Sequence, residues 1–245
     1  ELAGRIAAAM TLLQFGIGTT NDVVDAPRDA GHKPGKPIPA GLVDVRPARL
    51  LALACFAAGL ALATLVSPVL GILAWVVVAV GLAYDLRLKG TAWSWLPFAV
   101  GIPILPVFGW LGATGSLRPE FAVLVPAAVV AGAALAIGNA LVDVARDRAA
   151  GASSIAVALG EDRAAAVAAG LFGLVLGAAL VSAWAAGRSG GALVAMAALG
   201  GLPVVAAIRS RAADAAGRER AWQAEAIGLA GLAGAWVAGV GGAMS

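Results

Sequence analysis

The chain has 245 residues, of which 61% are hydrophobic and only 13% charged, with 17 Lys and Arg against 14 Asp and Glu. Soluble domains carry about 25% charged residues, so this composition, with a mean hydropathy of +0.92, excludes an ordinary water-soluble core and points to a membrane protein. A net charge of +3 gives no basis for nucleic-acid binding, and the single cysteine, Cys55, excludes an intramolecular disulfide.

A bilayer-crossing helix needs about 20 apolar residues, with a range of about 17–25. Eight stretches meet or approach that length: 2–20, 48–66, 69–84, 93–112, 121–142, 164–185, 191–208 and 221–243. They predict an all-α, multi-span transmembrane bundle forming a single domain over residues 1–245. The 33 glycines and abundant alanines suit helices whose backbones approach closely in lipid. Cys55 lies inside the second stretch and reads as a small buried hydrophobe. Ser67-Pro68, between the second and third stretches, reads as a tight turn, because proline lacks a donor and biases its predecessor away from helix. No cleavable signal peptide is recognisable: the first apolar run leads straight into an acidic motif.

The basic residues sort by side. Arg28, Lys33, Lys36, Arg46, Arg49, Arg87, Lys89, Arg146, Arg148, Arg163, Arg209, Arg211, Arg218 and Arg220 all fall in alternate connections, leaving Arg5, Arg118 and Arg188 for the other side. The positive-inside rule makes the rich side cytoplasmic. The expectation is an integral protein of the cell membrane, with its chemistry facing the cytoplasm. This orientation starts Glu1 outside the cytoplasm, so a further helix is expected upstream of it.

Two acidic clusters stand at the cytoplasmic ends of apolar stretches. One is Asn21-Asp22-Val23-Val24-Asp25 with Asp29; the other is Asp143-Val144-Ala145-Arg146-Asp147. Carboxylates are costly beside a bilayer and mark function by default. Residues four apart share a helical face. That pairs Asn21 with Asp25, Asp143 with Asp147, and Asp25 with Asp29 if the helix continues past Pro27. Hard oxygen donors of this kind suit Mg²⁺, which takes a few carboxylates together with substrate phosphate and water. Either cluster alone could be a solvated acidic loop; two with matching spacing suggest one shared Mg²⁺ site.

Lys33, Lys36, Arg87, Lys89, Arg146 and Arg148 occupy the same connections and could hold diphosphate oxygens, although the positive-inside rule alone accounts for basic residues there. His32, the only histidine, reads as a loop residue. Residues 31–41, with three prolines and three glycines, exclude helix and favour defined turns. From composition this segment is a connection.

These motifs together resemble the UbiA superfamily of intramembrane prenyltransferases. The matching pieces are Asn21-Asp22-x-x-Asp25-x-x-x-Asp29, Lys36-Pro37-Ile38-Pro39-Ala40-Gly41, Tyr84-Asp85-Leu86-Arg87-Leu88-Lys89 and Asp143-x-x-x-Asp147-Arg148-x-x-Gly151. They occur in the family's order across nearly the whole chain. The resemblance implies a bundle of nine helices around a central cavity, of which this chain would lack the first. It also implies Mg²⁺-dependent transfer of a prenyl group from a polyprenyl diphosphate to a lipophilic, often aromatic, acceptor within the membrane lipids, with no residue here selecting among aromatic rings, porphyrin-like rings and lipid phosphates. Asn21, Asp25, Asp143 and Asp147 would ligate or orient the metal, supported by Asp22 and Asp29. Lys89, Arg87 and Tyr84 would lie near the diphosphate, with Lys36 and Arg148 as further substrate cations and Asp25, Asp143, Asp147 and Lys89 carrying the catalysis.

Two departures from the family pattern stand out. Lys36 replaces the usual arginine, keeping charge but losing the bidentate fork. Asp85 replaces a small polar residue, and could be a third acidic participant, a partner of Arg87, or a base for the acceptor. Aromatic faces stabilise cations, which makes Trp93, Trp95, Phe98, Phe108 and Trp110 candidates, although tryptophans near span ends commonly anchor at the interface. Two other functions compete. A terpene cyclase would trap the cation with the prenyl chain itself. A cation-coupled transporter would place its ionisable groups near the bilayer midplane, unlike the end positions found here.

Overall fold

The computed structural model describes residues 1–31 and 35–241. His32 and Lys33 therefore lie outside the described residues. Every described regular element is helical. In chain order these are α1 (Leu2–Asp29), α2 (Val45–Val66), α3 (Pro68–Ala83), α4 (Leu96–Thr114), α5 (Phe121–Val142), α6 (Val144–Ala149), α7 (Ile155–Leu159), α8 (Glu161–Ala185), α9 (Gly191–Ser210) and α10 (Ala215–Gly241). A π-helical turn, Tyr84–Leu88, continues α3. Among the described residues seven helices are long and apolar enough to cross a membrane, and the protein is an integral membrane protein. α10, 27 residues long, covers residues 221–241 of the eighth expected stretch and is not among those seven.

Every predicted stretch but the fifth differs from its helix at one end at least. The fifth stretch matches α5 at both ends. The third, short on sequence, becomes a continuous 21-residue span through Leu88 once the π turn is added. The fourth starts at Leu96, because Trp93 and Trp95 lie in a preceding turn. α1 does run through Pro27 to Asp29, so Asn21, Asp25 and Asp29 share one face. Ser67 performs the expected turn: its Oγ accepts the Leu70 amide at 3.2 Å, with Pro68 opening α3, where no amide hydrogen is needed.

The helices form two compact units, Glu1–Lys89 with Ile104–Leu117, and Gly90–Pro103 with Arg118–Ser245. In the first, Ile6, Ala9 and Leu13 of α1 meet Ala63 of α2 and Leu70, Ala74 and Val77 of α3, with Phe108 of α4 fully buried. α2 shows the rule. It buries Ala48, Ala52, Cys55, Gly59 and Ala63 while exposing Leu50, Leu51, Leu53 and Leu65. Small residues face protein and large ones face outward, as helices packing in lipid require. Gly59 is tight enough that a β-carbon would stand 3.0 Å from the Ala9 carbonyl oxygen. In the second unit, α5 and α8 share a core of alanines with Leu141 and Phe172, and α8, α9 and α10 close around Met196, Leu232 and Trp236.

Candidate functional site

The last turns of α1 and the π turn after α3 carry the first acidic cluster. A π turn winds fewer degrees per residue than an α turn, and such turns are often found at functional sites. Here the Lys89 amide donates to the Tyr84 carbonyl at 2.9 Å. Asp85 is turned inward, where it is buried, while Arg87 is exposed.

The side chains of this cluster interlock. The Lys89 ammonium group binds Asp25 Oδ2 and sits 5.8 Å from the Tyr84 ring centroid. Asn21 Nδ2 donates to Asp85 Oδ1 at 2.8 Å. Lys36 Nζ lies 2.8 Å from Asp22 Oδ1, 2.8 Å from Asp29 Oδ2 and 3.9 Å from Asp25 Oδ2. Asp25, Asp29 and Asp85 are all buried, at 5–6% exposure, where a carboxylate requires a compensating charge. Burial of the Lys36 ammonium group lowers its pKa, but hydrogen bonds to Asp22 and Asp29 and their charges outweigh it. Lys36 therefore titrates above its ordinary 10.5.

Lys36 reaches its position through a folded loop. The described part of the Pro/Gly segment is a compact turn, in which the Ala40 amide bonds the Lys36 carbonyl and the Leu42 and Val43 amides bond the Pro37 carbonyl. Gly41 closes it at φ +72°, a conformation open to glycine and costly for other residues. A segment that composition presents as a connection is thus the holder of a cation.

The second cluster is built differently from the expectation. α5 ends at Val142, and Asp143 stands between α5 and the short α6. The four-residue spacing survives the break, because the Asp147 amide bonds the Asp143 carbonyl at 2.9 Å. Asp143 pairs with Arg146 at 2.5 Å, and Asp147 is half-buried. Arg148 is drawn to Glu161 at the start of α8, at 3.0 Å, and Arg218 binds the same carboxylate.

Two residues escaped the sequence reading. Asn139 precedes Asp143 by four, so Asn139, Asp143 and Asp147 repeat the spacing of Asn21, Asp25 and Asp29. That internal repeat was readable. Glu225 of α10 is 1% exposed, and its Oε2 has no hydrogen-bond partner. A lone carboxyl group in the apolar stretch 221–243 was the available signal.

The proposed aromatic candidates divide. Trp93 is exposed and stacks on Trp95 with 6.5 Å between centroids, an arrangement suited to an interfacial anchor. Phe108 fills the core of the first unit and Phe98 packs on that of the second.

Oxygen donors dominate both clusters, which is the donor set Mg²⁺ prefers. Among the described residues no three carboxylate, histidine or cysteine groups already converge on one metal position. In the first cluster the ammonium groups of Lys36 and Lys89 neutralise the carboxylates instead. Four carboxylates, Asp22, Asp25, Asp29 and Asp85, face these two ammonium groups, and Asp85 Oδ2 is buried without a partner. That oxygen is a hard donor that a divalent cation would satisfy.

Comparison with known proteins agrees with this composition. The sequence is 35% identical over 145 residues to digeranylgeranylglyceryl phosphate synthase of Methanopyrus kandleri, covering 58% of this chain and 52% of that protein. It is 32% identical over 158 residues to the chloroplastic chlorophyll synthase of Oryza sativa subsp. japonica, covering 60% and 42%. The chain thus aligns with about half the length of these relatives. Its fold matches a UbiA homolog from Aeropyrum pernix K1 with a TM-score of 0.72 and 22% identity, covering 98% of this chain and 89% of that one. It also matches a UbiA homolog from Archaeoglobus fulgidus, solved bound to DMAPP and Mg²⁺, with a TM-score of 0.68 and 17% identity, covering 95% and 88%. The match to the family's own sequence pattern runs through residues 1–229, and the chain belongs to the UbiA prenyltransferase family.

Proposed function

We propose that the protein transfers a prenyl group from its diphosphate to a lipophilic acceptor in the membrane, using Mg²⁺. The observation that carries this reading is the gathering of Asn21, Asp25, Asp85, Lys36 and Lys89 at the end of α1 and the π turn. Buried oxygen donors and ammonium groups side by side suit a metal-bound diphosphate. Asn21 and Asp25 of the first motif, and Asp143 and Asp147 of the second, would hold the metal. Their assignment rests on family motif order. The family match crosses both units, which supports one functional domain with eight spans.

In this reading the C1–O bond of an allylic diphosphate breaks, and its electron pair leaves on the diphosphate. C1 then bonds to the acceptor, which gives up a proton. Magnesium, when bound, supplies positive charge against the departing diphosphate. Lys89, Lys36 and the exposed Arg87 add donors for its oxygens, Tyr84 backs Lys89, and Arg148 is available once it leaves Glu161. Apolar helix walls keep water from the cation. The positive-inside pattern supports a cytoplasmic face for this chemistry.

The relatives' names span two acceptor classes, since digeranylgeranylglyceryl phosphate is a lipid phosphate and chlorophyll a ring system. The test is incubation of the full-length protein in nanodiscs with labelled geranylgeranyl diphosphate, Mg²⁺ and a panel of aromatic and glyceryl phosphate acceptors. Label is expected in an acceptor adduct, with diphosphate released only when acceptor is present. Cyclised hydrocarbon formed without acceptor would replace this reading with the cyclase.

A further inference from the structure

We infer that Asp85 is a positioning residue: it fixes the side-chain amide of Asn21 so that the amide oxygen, rather than the nitrogen, is presented as a metal ligand. The inference rests on the metal–diphosphate reading above and assigns Asp85 its part in it.

The geometry selects one amide orientation. Asn21 Nδ2 and Asp85 Oδ1 are 2.8 Å apart. An ionised carboxylate only accepts hydrogen bonds, and an amide donates through nitrogen alone. Flipping Asn21 would set two oxygens against each other inside a buried site. Asp85 therefore holds the nitrogen, and the carbonyl oxygen occupies the other branch, where no described group hydrogen-bonds it. Amides bind hard cations through that oxygen. Groups that hold a metal ligand in place typically change affinity about 10–100-fold when removed.

The elements make this contact deliberate. Asn21 is on α1 and Asp85 is 64 residues away on the π turn, which directs Asp85 inward and Arg87 outward. Of the three roles open to Asp85 from sequence, the partner of Arg87 is not realised: Arg87 is exposed and makes no ion pair with Asp85. Asp85 is 6% exposed and its Oδ2 has no partner. A buried carboxylate satisfied on one oxygen only is costly as a purely structural prop.

Full-length protein in nanodiscs with an unreactive prenyl thiolodiphosphate tests this, with bound Mn²⁺ counted by electron paramagnetic resonance as the readout. Asp85→Ala is expected to weaken Mn²⁺ binding about tenfold or more. In an Asn21→Ala background the same change should have less than about a twofold effect, because the ligand it orients is gone. Asp85→Asn can donate as well as accept, so it no longer selects the amide orientation, and is expected to weaken Mn²⁺ binding at least about threefold with Asn21 present but not in the Asn21→Ala background. It also stands in should Asp85→Ala fail to fold. Equal losses from Asp85→Ala with and without Asn21 would overturn the proposal, as would Mn²⁺ binding by Asp85→Asn equal to that of the unmodified protein. If the unmodified protein binds no Mn²⁺ with the thiolodiphosphate, the metal reading itself fails. If it binds and the variants behave additively, only the role of Asp85 is lost.

Discussion

Glu225 presses its carboxyl group against Gly138, so closely that a β-carbon at Gly138 would stand 2.1 Å from Glu225 Oε2. This contact joins α10 to α5 with a polar group that has no partner of its own. Gly138→Ala should overpack the contact and cost about 1–3 kcal/mol. Glu225→Leu removes a buried, unpartnered polar group and should stabilise by about 1–3 kcal/mol. Thermal unfolding in one detergent should show melting temperatures moving in opposite directions. A fall for Glu225→Leu would indicate that the carboxyl group has a partner in the folded protein.

The two acidic clusters predict matched losses. Asp25→Ala and Asp143→Ala should each lower diphosphate release by at least about 100-fold, since metal stabilisation of the leaving group is worth several kcal/mol. Labelled diphosphate release, with Mg²⁺ titrated to saturation, measures this. Activity within a few-fold of the unmodified protein for both variants would remove the metal site.

Asn139 repeats the place of Asn21 before its own pair of aspartates. Asn139→Ala should raise the Mg²⁺ concentration needed for half-maximal activity about 10–100-fold. Asn139→Asp, which keeps an oxygen ligand, should lose less. Equal Mg²⁺ requirements in all three proteins would mark the repeat as coincidental.

Lys36 carries a pH signature. Burial lowers its pKa, but the hydrogen bonds it donates to Asp22 and Asp29, and their charges, outweigh that and hold it above 10.5. A cationic group raised on folding stabilises the protein fully below its unfolded pKa, and that contribution vanishes as pH rises through the folded one. The unmodified protein should therefore lose stability above about pH 10.5 by more than Lys36→Met does. Chemical unfolding at pH 8 and pH 11 compares the two directly. Identical losses would show that Lys36 contributes nothing to the alkaline transition.

Span positions were legible because a bilayer imposes one length and one polarity on every crossing helix. α5 matched at both ends for that reason. What escaped depends on backbone winding and on contacts between distant segments. Nothing local to Tyr84–Leu88 announces a π turn, and without it Asp85 cannot be told from a surface acid. The break at Asp143 was hidden for the opposite reason: an interruption of one residue leaves the four-residue spacing of the aspartates intact. The cations Lys36 and Lys89 were found as candidates, but their choice of Asp22, Asp29 and Asp25 follows from turns that composition does not specify.

α2 keeps alanines inside and leucines outside, and this sets the terms on which the protein can leave its membrane. Its large apolar side chains meet hydrocarbon, so extraction into water turns each lipid-facing stripe into an adhesive one. Leu50, Leu51, Leu53 and Leu65 would then seek the same residues on a second molecule, and the small-residue seams within each unit offer no competing attraction for them. The same arrangement that lets α1 and α2 approach closely makes self-association the default fate of the purified chain, unless an amphiphile takes the place of lipid.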